Sequence, residues 1–528
     1  MSPRSDIRHD GSMRPGLLDD DATARLRAAL DGYTVDAVAD RLGLAGQAAL
    51  QRGDLAGVAR RIDGDDPLAT LLRLFVLCAD VDGASAVRAL APLRLDEAVA
   101  AGVLEAAGGR IRAALDVRPY SEATPALPTA TGTPAGVAGG VAAPPWWVVS
   151  DFGADVRGGP LAADHVLGIG AASVTLAQAT PRAPVGRALD VGTGCGIQAL
   201  HLARHAEVVV ATDVSERALR MAATSAALSG QAWDLRAGSL LEPVAGERFD
   251  LVVANPPFVV SAGAVGHEYR DGGRAGDGVS EALVRGLPGV LAEGGTAQLL
   301  ANWVITADQP WDERVGGWLA GSGCDAWVWQ REIAEPGEYV TLWLRDAGER
   351  PGTERWRERY DAWLDWFAAA GVAAVGMGLV TMWRTDAADP AVVCEDVPQA
   401  LEQPIGPHVA SWPHRQRWLR ARDDDALLAA ALRPADGLVL DRSAVLDEDG
   451  WSEVTAQLRQ ARGVRWAVEV DDAVATLVAG CDGQTPLRVA VGVLAAALGA
   501  DADAVARALA PVVRDLVGRG FLLPEGVA

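Results

Sequence analysis

The residues with most chemistry to offer are Asn255-Pro256-Pro257-Phe258, which close an apolar run over residues 249–254. A residue before proline is pushed out of the helical region, and two consecutive prolines supply carbonyls without amide donors. The turn therefore presents acceptors. An amide or exocyclic amine nitrogen is a poor nucleophile, because its lone pair is spread into a neighbouring π system, and it needs orientation more than a strong base. The Asn255 side-chain oxygen and the Pro256 carbonyl suit that task. Each would accept a hydrogen bond from a substrate NH2 and turn the lone pair toward a methyl donor, while Phe258 stacks on the planar group. Such positioning can supply roughly 7 to 11 kcal/mol of a barrier. Asn-Pro also serves ordinary strand-end turns, so the motif takes its meaning from its surroundings.

Upstream, Ala188-Leu189-Asp190-Val191-Gly192-Thr193-Gly194-Cys195-Gly196 runs from an apolar strand into residues 197–203, which have helical apolar spacing. Glycines at alternate positions let the backbone approach a ligand and leave the helix start open for its polar end. The next strand, 208–211, ends at Thr212-Asp213, where a carboxylate can hold both ribose hydroxyls. The third glycine falls early for a dinucleotide fingerprint and no pyrophosphate cradle follows, which disfavours NAD. The chain has no lysine, all 47 basic side chains being arginine, so ATP bound through a P-loop is excluded. What remains is a nucleoside with an amino-acid tail, S-adenosyl-L-methionine, with Asp190 near the methionine end and Asp213 on the ribose.

This ordered set resembles the class I S-adenosylmethionine-dependent methyltransferases, and within them the small-domain group. That group includes the release-factor glutamine methyltransferases and several ribosomal RNA base N-methyltransferases, which share an Asn-Pro-Pro-aromatic turn. The resemblance covers roughly residues 146–385. It implies that Asp190, Gly192, Thr193, Gly194, Gly196 and Asp213 hold the cofactor, with Ser239 and Asn255 beside it. Asn255, Pro256, Pro257 and Phe258 would then form the catalytic, substrate-holding turn. Such families usually carry an acidic residue after the third strand for the adenine amino group. Here Ala237-Gly238-Ser239-Leu240-Leu241-Glu242 stands in that place, and Ser239 would accept the same hydrogen bond more weakly.

Strand and helix patterns alternate through this region, which reads as a mainly parallel sheet with helices on both faces. The fold expected is α/β, a Rossmann-like seven-stranded methyltransferase sheet with strands near 188–192, 208–213, 234–237, 250–254, 297–303, 326–330 and 372–383. Residues 339–345 are read as helix. Mainly helical, winged-helix-like domains are expected at both ends, over 1–120 and 391–528, with a Pro/Ala/Thr/Gly-rich linker at 121–145 and the transferase domain at 146–390. The N-terminal flank should carry helices near 34–42, 68–79 and 95–107, then a strand over 110–117. The C-terminal flank begins irregular and turns helical over 485–498 and 501–519, with a short strand at 520–523. Few basic residues lie on those helices, so they fit protein docking or dimerisation better than DNA reading.

The glycine- and charge-rich segment 267–278 would close over the substrate or remain a solvated loop. His267 is not needed as a base, since proton loss can follow transfer to a sulfonium-activated methyl. Cys195 is a small residue in the glycine turn. His201 and His205 have zinc-pair spacing but no glutamate base between them and no third ligand nearby, so no metal is expected. Trp363 and Trp366, with Tyr360 and Phe367, form an aromatic stripe that reads as core. Five scattered cysteines and the absence of a membrane-length apolar stretch or signal peptide point to a cytoplasmic protein without membrane contact.

The net charge of -23 is repelled at long range by duplex phosphates. The expected function is N-methylation of a planar nitrogen, first of all a protein glutamine on a translation factor. The alternative is an rRNA, tRNA or DNA base flipped into the Asn255 pocket. A non-catalytic S-adenosylmethionine-sensing protein would tolerate loss of Asp213 or of the Asn-Pro-Pro turn, and both are intact.

Overall fold

The computed structural model describes residues 15–121, 145–159, 161–263, 273–448 and 450–526. Most of the 121–145 linker and the first half of the 267–278 loop lie outside the described residues. The chain divides into two compact units, one built from residues up to 177 with 183–395, the other from 178–182 with 396 onward.

The first unit is organised by one sheet of eight strands: β1 (Val185–Val191), β2 (Ala206–Asp213), β3 (Asp234–Ala237), β4 (Phe249–Ala254), β5 (Leu291–Thr306), β6 (Cys324–Ala334), β7 (Val372–Arg384) and β8 (Val392–Asp396). Their hydrogen-bonded order is β8-β6-β7-β5-β4-β1-β2-β3. Strands β1 to β5 pair in parallel, whereas β7 lies antiparallel between β5 and β6. All seven expected strands are present. The eighth, β8, is an edge strand whose mixed polar and apolar residues stay partly exposed, so it carries no buried apolar run.

Strands β1 and β4 are apolar without alternation because both their faces are covered. The chain steps outward from β1 to β3, then returns to the other side of β1 as β4. The order of strands thus reverses between β1 and β4, and in open α/β sheets such a switch point is where a crevice forms outside the carboxyl ends of the strands.

Helices α1 (Ala171–Ala179), α2 (Ile197–Leu202), α3 (Glu216–Leu228), α4 (Gly278–Gly286), α5 (Trp311–Leu319), α6 (Pro336–Asp346) and α7 (Glu354–Ala369) cover the sheet. Residues of α4 and α5 pack with Leu189, Val252, Leu299 and Val380 in the main core. A second cluster gathers Val260, Val304, Tyr339 and Phe367 under α6 and α7, with Tyr360, Trp363 and Trp366 partly buried against it. The aromatic stripe is therefore packing surface, and residues 339–345 lie in a helix.

The N-terminal helices include Val35–Gln51, broken at Gly43 where φ is +62°, Pro67–Phe75 and Leu95–Ala100. The last stops short of the expected end because Leu104–Ala107 instead pairs with Arg110–Ala113 around Gly108-Gly109. Strand Asp116–Tyr120 pairs with Trp146–Ser150. The Trp147 indole N–H donates to the Tyr33 carbonyl at 2.9 Å, so these helices share a unit with the sheet.

In the second unit, helices Leu487–Leu498 and Ala502–Gly518 and strand Leu522–Pro524 match the expected pattern. The stretch expected to be irregular instead holds a long antiparallel hairpin, Leu438–Asp447 with Gly450–Gln460, joined at its root by Ala467–Glu469. Most of its first strand is exposed on both faces, which removes the alternation by which a half-buried strand is recognised.

Candidate active site

The glycine turn between β1 and α2 and the Asn-Pro-Pro turn after β4 face each other across the crevice. A Cβ placed on Gly192 would come within 3.9 Å of Pro256 Cα and 4.0 Å of the Asn255 carbonyl oxygen. Gly192, Gly194 and Gly196 all have positive φ, of 71°, 55° and 93°. At Gly196 the need is also steric, since a Cβ would lie 2.6 Å from the Trp233 ring. At Gly194 it would meet nothing within 4 Å, so the turn is open on that side.

Asp190, the penultimate residue of β1, is fully buried. Its Oδ2 accepts from Thr193 Oγ1 at 2.6 Å and from the Ala199 amide at 3.1 Å. Its Oδ1 is buried with no hydrogen-bond partner. Burial pushes the Asp190 carboxyl up to about 7, its two hydrogen bonds only partly offsetting the desolvation. A buried lone acceptor of this kind is an incomplete site, one that a cationic ammonium group would complete. Burial likewise raises the Cys195 thiol to about 12, far from nucleophilic.

Asp213 closes β2. Its carboxylate receives the Gly194 amide and the Ser215 amide, each at 2.9 Å, which ties the glycine turn to the neighbouring strand. Two carboxylate oxygens offer about four lone-pair sites. Ser239 follows β3 in an exposed loop, beside Asp213 because the Gly238 amide donates to the Asp213 carbonyl at 3.0 Å. Its own carbonyl takes the Glu242 amide.

Asn255 Nδ2 donates to Ser173 Oγ on α1 at 3.2 Å. With the nitrogen so engaged, Oδ1 is the acceptor this side chain can turn to the crevice. Ser173 is in turn held by Gln198, whose Nε2 donates to its carbonyl at 2.8 Å. Neither residue stands out in the sequence. The Gly168-Ile169-Gly170 step before α1 is the one signal that a further backbone approach occurs there.

Phe258 packs edge-on against Trp343 of α6, ring centroids 6.1 Å apart. The following turn is pinned by α6 and α7 too: the Val260 amide donates to Tyr339 Oη at 2.9 Å and Trp363 Nε1 donates to the Val260 carbonyl at 3.0 Å. Asp277, just before α4, accepts Arg314 Nε at 2.6 Å and the Val304 amide at 2.9 Å, anchoring the far end of the 267–278 loop on β5.

His201 lies away from this chemistry. It is buried, 2.7 Å from Tyr120 Oη, with Trp146 packed edge-on against its ring. Among the described residues no helix is long and apolar enough to cross a membrane.

Residues 167–316 match the family model described as methyltransferase small domain, while 30–114 and 410–524 match two domains of unknown function, DUF7059 and DUF7782. Ribosomal RNA small subunit methyltransferase C of Klebsiella pneumoniae subsp. pneumoniae is 35% identical over 133 residues, 25% of this chain and 35% of that protein. The protein of the same name from Alcanivorax borkumensis is 35% identical over 117 residues, 22% of this chain and 32% of that protein. This chain thus spans about a third of the length of these curated relatives. The ribosomal protein L11 methylase of Lactobacillus delbrueckii subsp. bulgaricus is 25% identical over 30% of this chain and 72% of that one, at a TM-score of 0.23 that is too low to bear on the assignment. Residues 167–316 form a class I S-adenosylmethionine-dependent methyltransferase domain of the small-domain group.

Proposed function

We propose that this protein methylates a planar nitrogen, an exocyclic amine of an RNA base or a side-chain amide, through an acceptor-only turn set beside a glycine cradle. The approach of Gly192 to Asn255 and Pro256 carries the reading, because it brings donor and acceptor to one crevice. In this reading Gly192, Thr193, Gly194 and Gly196 line the donor, Asp190 Oδ1 takes its ammonium group, Asp213 its ribose hydroxyls, and Ser239 its adenine. When bound, S-adenosylmethionine supplies an electrophilic methyl on a sulfonium. Asn255 Oδ1 and the Pro256 carbonyl each accept one N–H of the substrate NH2, which rotates its lone pair toward that methyl. Pro257 keeps the turn free of competing donors, and Phe258, backed by Trp343, presents a face to the planar group. No residue of the turn would need to act as a general base, since the substrate nitrogen would release its proton to water after it is methylated.

RNA is favoured as the substrate class because the similar proteins are named as ribosomal RNA methyltransferases. The net charge of -23 keeps the second reading, a protein glutamine, in view. In the proposed division, residues 146–390 carry the transfer. Incubation with labelled donor and a lysate split into RNA and protein fractions separates the readings, and label in neither fraction defeats both. Asn255→Ala should abolish transfer while donor affinity stays within a few fold; equal loss of both would remove Asn255 from the proposed role.

A further inference from the structure

We infer that the long hairpin of the second unit is a docking arm whose open strand edge takes an extended, basic polypeptide segment. Strand Gly450–Gln460 is paired on one side along its length by Leu438–Asp447. On its other side Ala467–Glu469 pairs only with Gln457, Leu458 and Arg459, and the Val470 amide then reaches the Ala456 carbonyl at 2.9 Å. Beyond that point, among the described residues, no strand pairs with residues 450–455 on that side. Alternate backbone N–H and C=O groups there are free to extend a ladder, and a partner strand of matching length spans about 20 Å at ~3.3 Å per residue.

A groove of about 620 Å³ lies where the short strand stops, lined by Val454, Thr455, Ala456, Glu469, Asp471 and Asp472. Strand addition draws affinity from main-chain hydrogen bonds and specificity from the side chains flanking the edge. Here those side chains have two characters. Trp451 is 75% exposed, Leu446 64% and Val454 55%, an apolar tip unusual in a solvated hairpin. Around them the charge has one sign: Asp447 and Glu448 stand at the end of the first strand, and the sequence from 443 to 458 holds no basic residue. Asp472 is partnered by Arg442 and Asp471 caps the next helix, so Glu469 is the groove's main contribution to that field. Acidic charge around an apolar edge complements arginine- or lysine-bearing strands and repels phosphate backbones.

The test uses the full chain and three fluorescent probes: a peptide alternating arginine and valine, the same peptide with glutamate for arginine, and single-stranded RNA. The arginine peptide should bind, weaken at least tenfold in Trp451→Ala and in Glu469→Arg, and lose binding when its alternate backbone amides are N-methylated. Methyl transfer should be unchanged in both variants, and their melting temperatures keep folding defects apart from lost contacts. The inference is overturned by equal binding of the glutamate peptide, by RNA binding that Trp451→Ala weakens, or by a concentration-dependent dimer that the same change dissolves, since a second copy would then own the edge.

Discussion

Replacing Asp190 with asparagine should stabilise the donor-free protein near neutral pH while weakening donor binding. The carboxyl is raised from 3.8 to about 7, chiefly by burial. At roughly 1.4 kcal/mol per pH unit, holding it ionised inside the fold costs on the order of 4 kcal/mol. The sign follows from proton linkage. Between 3.8 and about 7 the folded protein retains a proton that the unfolded chain releases, so this group's stabilisation is complete below 3.8 and is lost as pH rises through about 7. Asparagine does not titrate and can still accept from Thr193 and Ala199. Denaturation midpoints of the two proteins, measured without donor, should therefore diverge in favour of Asp190→Asn as pH is raised from about 5 to about 8. Calorimetry with S-adenosylmethionine should give the opposite ranking: wild-type affinity climbs over the same range, because an ammonium partner favours the ionised carboxylate, and the variant stays weak. Parallel midpoint curves for the two proteins would show that Asp190 is not held protonated, and the incomplete-site reasoning would fail.

Asp213→Ala should weaken donor binding by roughly 1.5 to 3 kcal/mol, the range for hydrogen bonds to a charged group, and unchanged calorimetric affinity would refute its ribose role. Gly196→Ala forces a Cβ into the Trp233 ring and keeps a backbone that alanine resists, so melting should show a loss on the order of 1 to 3 kcal/mol. In a Trp233→Ala background the cost of Gly196→Ala should fall by the steric share alone; a cost near zero there would mean the backbone strain is negligible.

The placement of the residues assigned to the donor was legible because the demands on them fall on backbone and charge. Gly192, Gly194 and Gly196 take positive φ, and Asp190 and Asp213 sit at the ends of β1 and β2 as their positions imply. The acceptor side was half legible. Asn255 to Phe258 stand out, but their supports Ser173, Tyr339 and Trp343 come from segments 82, 79 and 85 positions away from the residues they touch, and only folding brings them in. Strand ends blurred for a related reason. Strand β5 runs well past the expected 297–303 because β7 pairs with it through Thr306, an extension set by a partner rather than by its own apolar run. The second unit's hairpin escaped notice since most of its first strand is exposed on both faces, leaving Asp449-Gly450 as its turn signal.

The reversed direction of β7 has an effect on how this scaffold can vary. Because β6 runs parallel to β5, the chain leaving it emerges on the same rim as Gly192, Asp213 and Asn255, and residues 335–371 are threaded in there before β7 turns back. In the proposed function the rim is thereby partitioned: the flank over β1 to β3 would read the methyl source, and the flank beyond β4 whatever is to be modified. Insertions between β6 and β7 can reshape the second flank without disturbing the first, so recognition of new targets can arise while the transfer chemistry is left intact.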